Sequence, residues 1–91
     1  MNNISPLVLP RFHGKPTEDP DEFLFELDVL YRSYDYTSSE KKMKIFPATL
    51  KYNSLYWFMI LGGENVTNWE QMKQVFLKNY QKHYRTKDKR E

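Results

Sequence analysis

The sequence predicts an all-α domain, a small bundle of about four helices behind an extended N-terminal arm. Three observations carry this expectation. Helix-start signals recur at Asp19, Thr37 and Thr67. Apolar residues follow each of them at spacings of three and four. The one run that could form a strand has no second run of comparable quality to pair with, so as a strand its backbone groups would go unsatisfied.

The arm comes first. Pro6 and Pro10 disfavour helix in "ISPLVLPRF", so residues 1–14 are expected to be extended, with Phe12 able to pin them to the bundle. A helical lobe over residues 15–84 and a basic tail over 85–91 complete the organisation. The first helix should run from about Pro20 to Tyr34. Asp19 can cap it, Pro20 suits its first position, and Glu18, Asp19, Asp21 and Glu22 place negative charge at the positive end of its dipole. Phe23, Leu24, Leu27, Leu30, Tyr31 and Tyr34 form its inner stripe, while Phe25 and Val29 form a second, smaller apolar face.

"TSSE" repeats the start signal with Thr37 as cap and Glu40 reaching back, and predicts a second helix from about Ser38 to Leu50, kinked near Pro47. The run "SLYWFMIL", residues 54–61, reads equally as a buried strand or a short buried helix. Lack of a partner strand favours helix, and Gly62-Gly63 ends it. In "TNWE", Thr67 is the expected cap with Glu70 three residues later. Trp69, Met72, Val75, Phe76, Tyr80 and His83 then give a fourth helix over about Asn68 to His83. The core should centre on Trp57 and Trp69, with Phe23, Leu27, Leu30, Phe46, Leu50 and Phe76.

Composition bounds the function. The chain has 91 residues and no cysteine, so it is one small domain with no disulfide, thiolate nucleophile or Cys-based metal site. No run reaches the roughly 18 apolar residues of a membrane span, and the start lacks a signal-peptide pattern, so a soluble, untargeted, cytoplasmic chain is expected. The net charge of +2 is unevenly spread: residues 78–91 hold six Lys/Arg against two Asp/Glu, and the remainder is net acidic.

The search for chemistry is short. The carboxylates around Asp19 are explained by capping and the helix dipole rather than by an acid/base pair or a metal cage. His13 and His83 lack the spacing of a catalytic relay or a zinc motif, and Gly62-Gly63 lacks the Lys-Ser/Thr of a phosphate loop. No catalytic residue, metal ligand or cofactor site is expected, and an enzyme ranks well behind binding and structural roles. The tail residues Lys82, Arg85, Lys87, Lys89 and Arg90, interleaved with Tyr80 and Tyr84, are candidates for phosphate contact and base stacking. Lys/Arg at a helix C-terminus are equally explained by dipole complementation.

"FHGKPTEDPDEFLFELDVLYRSY", "KKMKIFPATL", "WFMIL" and "VTNWEQMKQVFLKNYQKHY" together resemble the Gag capsid region of gypsy-class long-terminal-repeat retrotransposons, most closely the plant type. The match runs nearly gap-free over residues 10–84. Its anchors are Phe12, Gly14, Phe23, Leu24, Phe46, Leu50, Trp57, Thr67, Trp69, Phe76 and Tyr80, in that order and spacing. The resemblance implies a capsid-type N-terminal lobe akin to the retroviral capsid and to the Arc protein. Its partners would be copies of itself and neighbouring Gag lobes, which assemble into shells that package RNA. Tyr52, Asn53 and Ser54 stand where relatives commonly carry Gly and small residues. Asn53 is expected to supply the left-handed turn there. With no zinc knuckle or protease motif in the chain, packaging specificity and maturation would reside elsewhere in a longer polyprotein.

Two function classes follow: an assembly lobe, or a module that accepts an extended peptide in an apolar groove, as the likeness to Arc implies. Leu7, Val8 and Leu9 of the arm are expected to lie in or beside a surface groove to which the first helix contributes, with Phe25 and Val29 available beyond the core, either filling it in cis or pairing with a neighbouring chain or peptide; the plain alternative is a disordered N-terminus. RNA contact by the tail should be non-specific. Deleting residues 85–91 should weaken binding equally for unrelated RNA sequences and flatten its salt dependence in a filter-binding titration. Binding that is absent at low salt, or indifferent to the deletion, would reduce the tail to a solvated end.

Overall fold

A computed structural model of the chain describes residues 4–61 and 66–82. The helices are α1 (Pro20–Ser33), α2 (Ser39–Ile45), α3 (Asn53–Leu61) and α4 (Trp69–Gln81), with 3₁₀ turns at Pro6–Val8 and Phe46–Thr49. Among the described residues there is no strand, only an isolated parallel bridge between Phe12 and Leu50. The all-α bundle expected from the sequence is what forms, and the ambiguous apolar run is helical.

The starts of α1, α2 and α4 and the end of α1 have local causes. Asp19 caps α1 as expected, its carboxylate accepting from the Asp21 and Glu22 N–H groups, and Pro20 occupies the first turn. Helix α1 stops in a Schellman turn: the Tyr36 N–H reaches the Tyr31 carbonyl at 2.8 Å and the Asp35 N–H the Arg32 carbonyl at 3.1 Å. Asp35 takes the left-handed position there, at φ 60°. The other two caps sit one residue later than expected. Ser38, not Thr37, caps α2 by accepting from the Lys41 N–H, and Asn68, not Thr67, caps α4 by accepting from the Gln71 N–H. The Gln71 side chain folds back on the Thr67 N–H at 2.9 Å, taking the role expected of Glu70.

The second helix is shorter than expected. Pro47 has no N–H to return to Met43, so α2 ends at Ile45 and the chain tightens into the Phe46–Thr49 turn. The Leu50 N–H to Pro47 carbonyl bond and the Thr49 hydroxyl to Phe46 carbonyl bond close that turn. The arm also departs from a simple extended segment. Ser5 accepts from the Leu7 N–H and Pro6 presets the turn, so Pro6–Val8 coil once before the chain straightens at Leu9.

The core is built on aromatic rings. Phe76 of α4 sits in the middle, with Phe12 at 4.9 Å, Tyr80 at 5.1 Å, Phe23 and Phe46 at 5.6 Å and Trp57 at 5.9 Å between centroids, mostly edge-on or tilted. Phe23, Leu27, Phe46, Leu50, Trp69 and Phe76 are buried as expected. Leu30 and Trp57 are only half-buried, so Trp57 is a rim residue and not a centre of the core. Phe12 takes that central place instead. Two polar ties fix α1 on α4: the Trp69 indole N–H donates to Asp28 at 3.2 Å, and Lys73 approaches the other Asp28 oxygen at 3.4 Å.

These burials order the cost of truncation. Phe12→Ala and Trp69→Ala should each destabilise by about 3–5 kcal/mol, a large part of the total for so small a domain. Trp57→Ala should cost markedly less, about 1–3 kcal/mol. Urea unfolding monitored by circular dichroism measures all three, and a Trp57→Ala midpoint as low as that of Trp69→Ala would contradict the rim placement.

Candidate functional site

The most organised polar geometry lies where the arm crosses the start of α3. The Phe12 N–H donates to the Thr49 carbonyl at 2.8 Å, and the Phe12 carbonyl accepts from the Lys51 N–H at 2.9 Å and from the Ser54 hydroxyl. The Ser54 N–H faces the carbonyls of His13 and Lys51, and Ser54 is wholly buried. Gly14 is required beside it. Its φ is 91°, and a Cβ there would lie 3.3 Å from the Ser54 nitrogen. The left-handed turn before α3 is made by Tyr52, at φ 53°, and not by Asn53, which already begins the helix. That bend turns the Tyr52 ring outward onto His13, stacked at 5.6 Å.

Glu18 locks the same junction from below. Its carboxylate accepts from the N–H groups of His13, Gly14 and Lys15 at 2.8–3.1 Å and contacts His13 Nδ1 at 2.9 Å. Successive N–H groups make a natural cradle for an anion, and here a side chain of the chain itself fills it. Partial burial pushes the Glu18 carboxyl up, but the hydrogen bonds from the His13 side chain and the three backbone groups outweigh it and hold the carboxyl below its usual range. Burial, with the nearby Asp28 charge and then Tyr36, pushes the Tyr31 hydroxyl far up, so it stays protonated while donating to the Lys42 carbonyl at 2.8 Å.

With Ser54 held inward, the opposite side of α3 faces water. Tyr52, Tyr56, Met59 and Ile60 are between 64 and 77 % exposed, and they fall at spacings of four, three and one. From Asn53 to Leu61 the helix has no charged residue. This uncharged apolar face was not among the sites expected from the sequence. The signal was present in the unbroken run "SLYWFMIL", but a helix apolar all round does not announce which side is covered.

Of the expected site residues, Phe25 is 70 % exposed and Val29 43 %, one turn apart on the outer side of α1. Phe25 lines a shallow groove between α1 and α4 with Leu24 and Leu77, rimmed by Asp21, Asp28 and Glu70 and by Lys73, which pairs with both Asp28 and Glu70. The arm runs along a different cleft, lined by Pro10, Arg11, Glu22 and Glu26. Leu7 is 87 % exposed and Val8 half-exposed, while Leu9 packs against the core. Neither of these two clefts is lined by both Leu7–Leu9 and Phe25, although α1 contributes Glu22, Phe23 and Glu26 to the one beside the arm. Lys82 is exposed at the end of α4. Arg85, Lys87, Lys89 and Arg90 lie outside the described residues.

A cleft of about 410 Å³ is lined by Asp28, Arg32, Asp35, Lys42, Glu70 and Lys73, whose opposite charges offset one another. Among the described residues no group of three His, Asp or Glu side chains is placed to hold a metal ion, and no helix is long and apolar enough to cross a membrane. No protein-family model, curated protein or solved structure matches the chain.

The Glu18 lock makes stability pH-dependent with a definite sign. A carboxyl whose folded pKa is depressed contributes fully above its unfolded value of 4.5 and loses that contribution as pH falls through the lower folded value. Glu18→Gln should therefore lower the melting temperature at pH 7 and flatten its decline below pH 4.5. Thermal melts of both proteins at half-unit pH steps make the comparison, and parallel curves would show that the lock carries no linkage.

Proposed function

We propose that the chain is an assembly module of the Gag capsid type, a lobe that builds shells around RNA through weak contacts repeated between copies. The observation that carries this reading is the presence of two apolar surfaces on different helices, Phe25 with Val29 on α1, and Tyr56, Met59 and Ile60 on α3 with Tyr52 in the turn before it. A binding module needs one such surface. A shell subunit needs at least two, because a single self-complementary contact closes into a dimer and stops. Each contact can be weak, since many of them act together once the shell closes. The ordered anchors shared with gypsy-class Gag support the same reading, and the basic tail would supply sequence-independent contact with RNA phosphates.

The α1/α4 groove favours a second reading. Its apolar floor of Leu24, Phe25 and Leu77 and its net acidic rim, three carboxylates against Lys73, suit a peptide with apolar anchors and a basic flank.

Sedimentation velocity across a wide concentration range, with negative-stain electron microscopy of the most concentrated sample, separates the two. The wild-type chain should form species larger than dimers that add RNA, and the double variant Phe25→Asp, Val29→Asp should stop at a discrete small oligomer. A chain that sediments as a monomer throughout and takes up a basic amphipathic peptide would establish the second reading at the expense of the first.

A further inference from the structure

The assembly proposal leaves open which surface pairs with which. We infer that the exposed face of α3 is a two-fold contact, the α3 helices of two copies of this chain lying antiparallel across an axis that passes beside Tyr56. The inference rests on the assembly reading and names one of its interfaces.

Three features point to a second copy as the occupant. The first is charge. A surface that docks on itself meets its own charges, and like charges face to face would repel. From Asn53 to Leu61 there are none, so this face pays nothing for meeting itself. The second is spacing. Tyr56 and Ile60 lie four residues apart on one line of α3, and Tyr52 sits in the turn one helical turn before Tyr56, so Tyr56 is midway between the start of the helix and Ile60. Set antiparallel about this point, Tyr56 meets its counterpart, ring against ring, while Ile60 of each copy comes level with the start of the other's α3, beside the turn that carries Tyr52. Met59, unbranched and adaptable, lies at the edge of the line and fills what the rings leave.

The third is area. Four side chains this exposed offer roughly 500 Å² per copy, or about 1,000 Å² when paired, which is at the low end of specific interfaces. That is too little for a permanent dimer and suits a weak contact repeated many times. The face is also ready-made. Ser54 fixes the rotation of α3, and His13 stacks on Tyr52, so pairing orders little that is not ordered already.

Single charges at the midpoint test this, because a residue on a two-fold axis meets itself. Tyr56→Asp and Tyr56→Lys should each abolish the dimer that the Phe25→Asp, Val29→Asp background retains, while circular dichroism and melting temperature stay close to that background. Mixed one to one, the two variants should restore the dimer at least tenfold more strongly than either alone, since Asp then faces Lys. A cysteine at Asn53 gives a second readout, because the native chain has no cysteine to compete. Its cross-linking by a short bis-maleimide should fall with either Tyr56 charge. Dimers indifferent to both Tyr56 variants would overturn the α3 contact while leaving assembly through other surfaces standing. A background protein that is monomeric at every concentration would overturn the α3 contact as well, and larger species formed by the wild-type chain would then have to be built from the α1 patch.

Discussion

Everything else in this small domain depends on where Phe12 is held. Its ring lies 4.9–5.1 Å from those of Phe23, Phe76 and Tyr80, which belong to α1 and α4, while its backbone pairs with Thr49 and Lys51 at the entrance to α3. One residue of the arm thus joins the α1/α4 pair to the α2–α3 connection. In a chain of 91 residues the core is too small to be redundant. Gly14 and Glu18 make sense as servants of that residue. The glycine lets the chain pass 3.3 Å from the Ser54 nitrogen where a Cβ would sit, and the carboxylate gathers the N–H groups of the three residues that follow Phe12.

The orientation of α3 follows from the same junction. An amphipathic helix finds its inward side by burying its apolar stripe, but a run such as "SLYWFMIL" has no polar side to expel and little preference of that kind. Here hydrogen bonds choose. Ser54 is the one small polar side chain in the run, and its hydroxyl is buried against the Phe12 carbonyl. The hydrogen bonds it makes there, each worth about 0.5–1.5 kcal/mol net, bias that side inward. Phe58 then falls onto Phe46 and Trp57 onto Phe76 and Tyr80, and Tyr56 and Ile60 are turned out by default.

How much of this was legible in the sequence varied with the kind of signal. Helix existence was legible, because cap and period agree. Asp19 with Pro20, and the spacing of Trp69, Met72, Phe76 and Tyr80, place α1 and α4 almost to the residue. Cap identity at Ser38 and Asn68 was blurred because each sits beside a Thr that could do the same work. Pro47 announced a disruption but not its form, a tightening into a 3₁₀ turn. The junction was the least legible part. Phe12, Gly14, Glu18, Thr49 and Ser54 meet across separations of up to 42 residues, and nothing periodic marks a long-range hydrogen bond. The surfaces split in the same way. Phe25 and Val29 stood out as apolar residues off a clear stripe, whereas Tyr56 and Ile60 were hidden inside a stripe with no edges.

An exposed apolar face is a hazard as well as an opportunity, and its placement on a helix decides which. Had the same residues formed an edge strand, their free N–H and C=O groups would have offered a template for open-ended pairing of any similar segment. In α3 the backbone bonds are internal, so only side chains remain to associate, over a patch a few residues long. Association through such a face saturates when the patch is covered. The groove wall beside Phe25 sets Asp21, Asp28 and Glu70 against a single Lys73, which pairs with the last two, and its excess of negative charge works against self-docking at that surface. The two surfaces therefore favour different geometries: the uncharged one can meet itself across a two-fold, and the acid-rimmed one is better matched to a different, basic surface. A subunit with one contact of each kind has what a closed shell requires, a symmetric contact to join units and an asymmetric one to propagate around them.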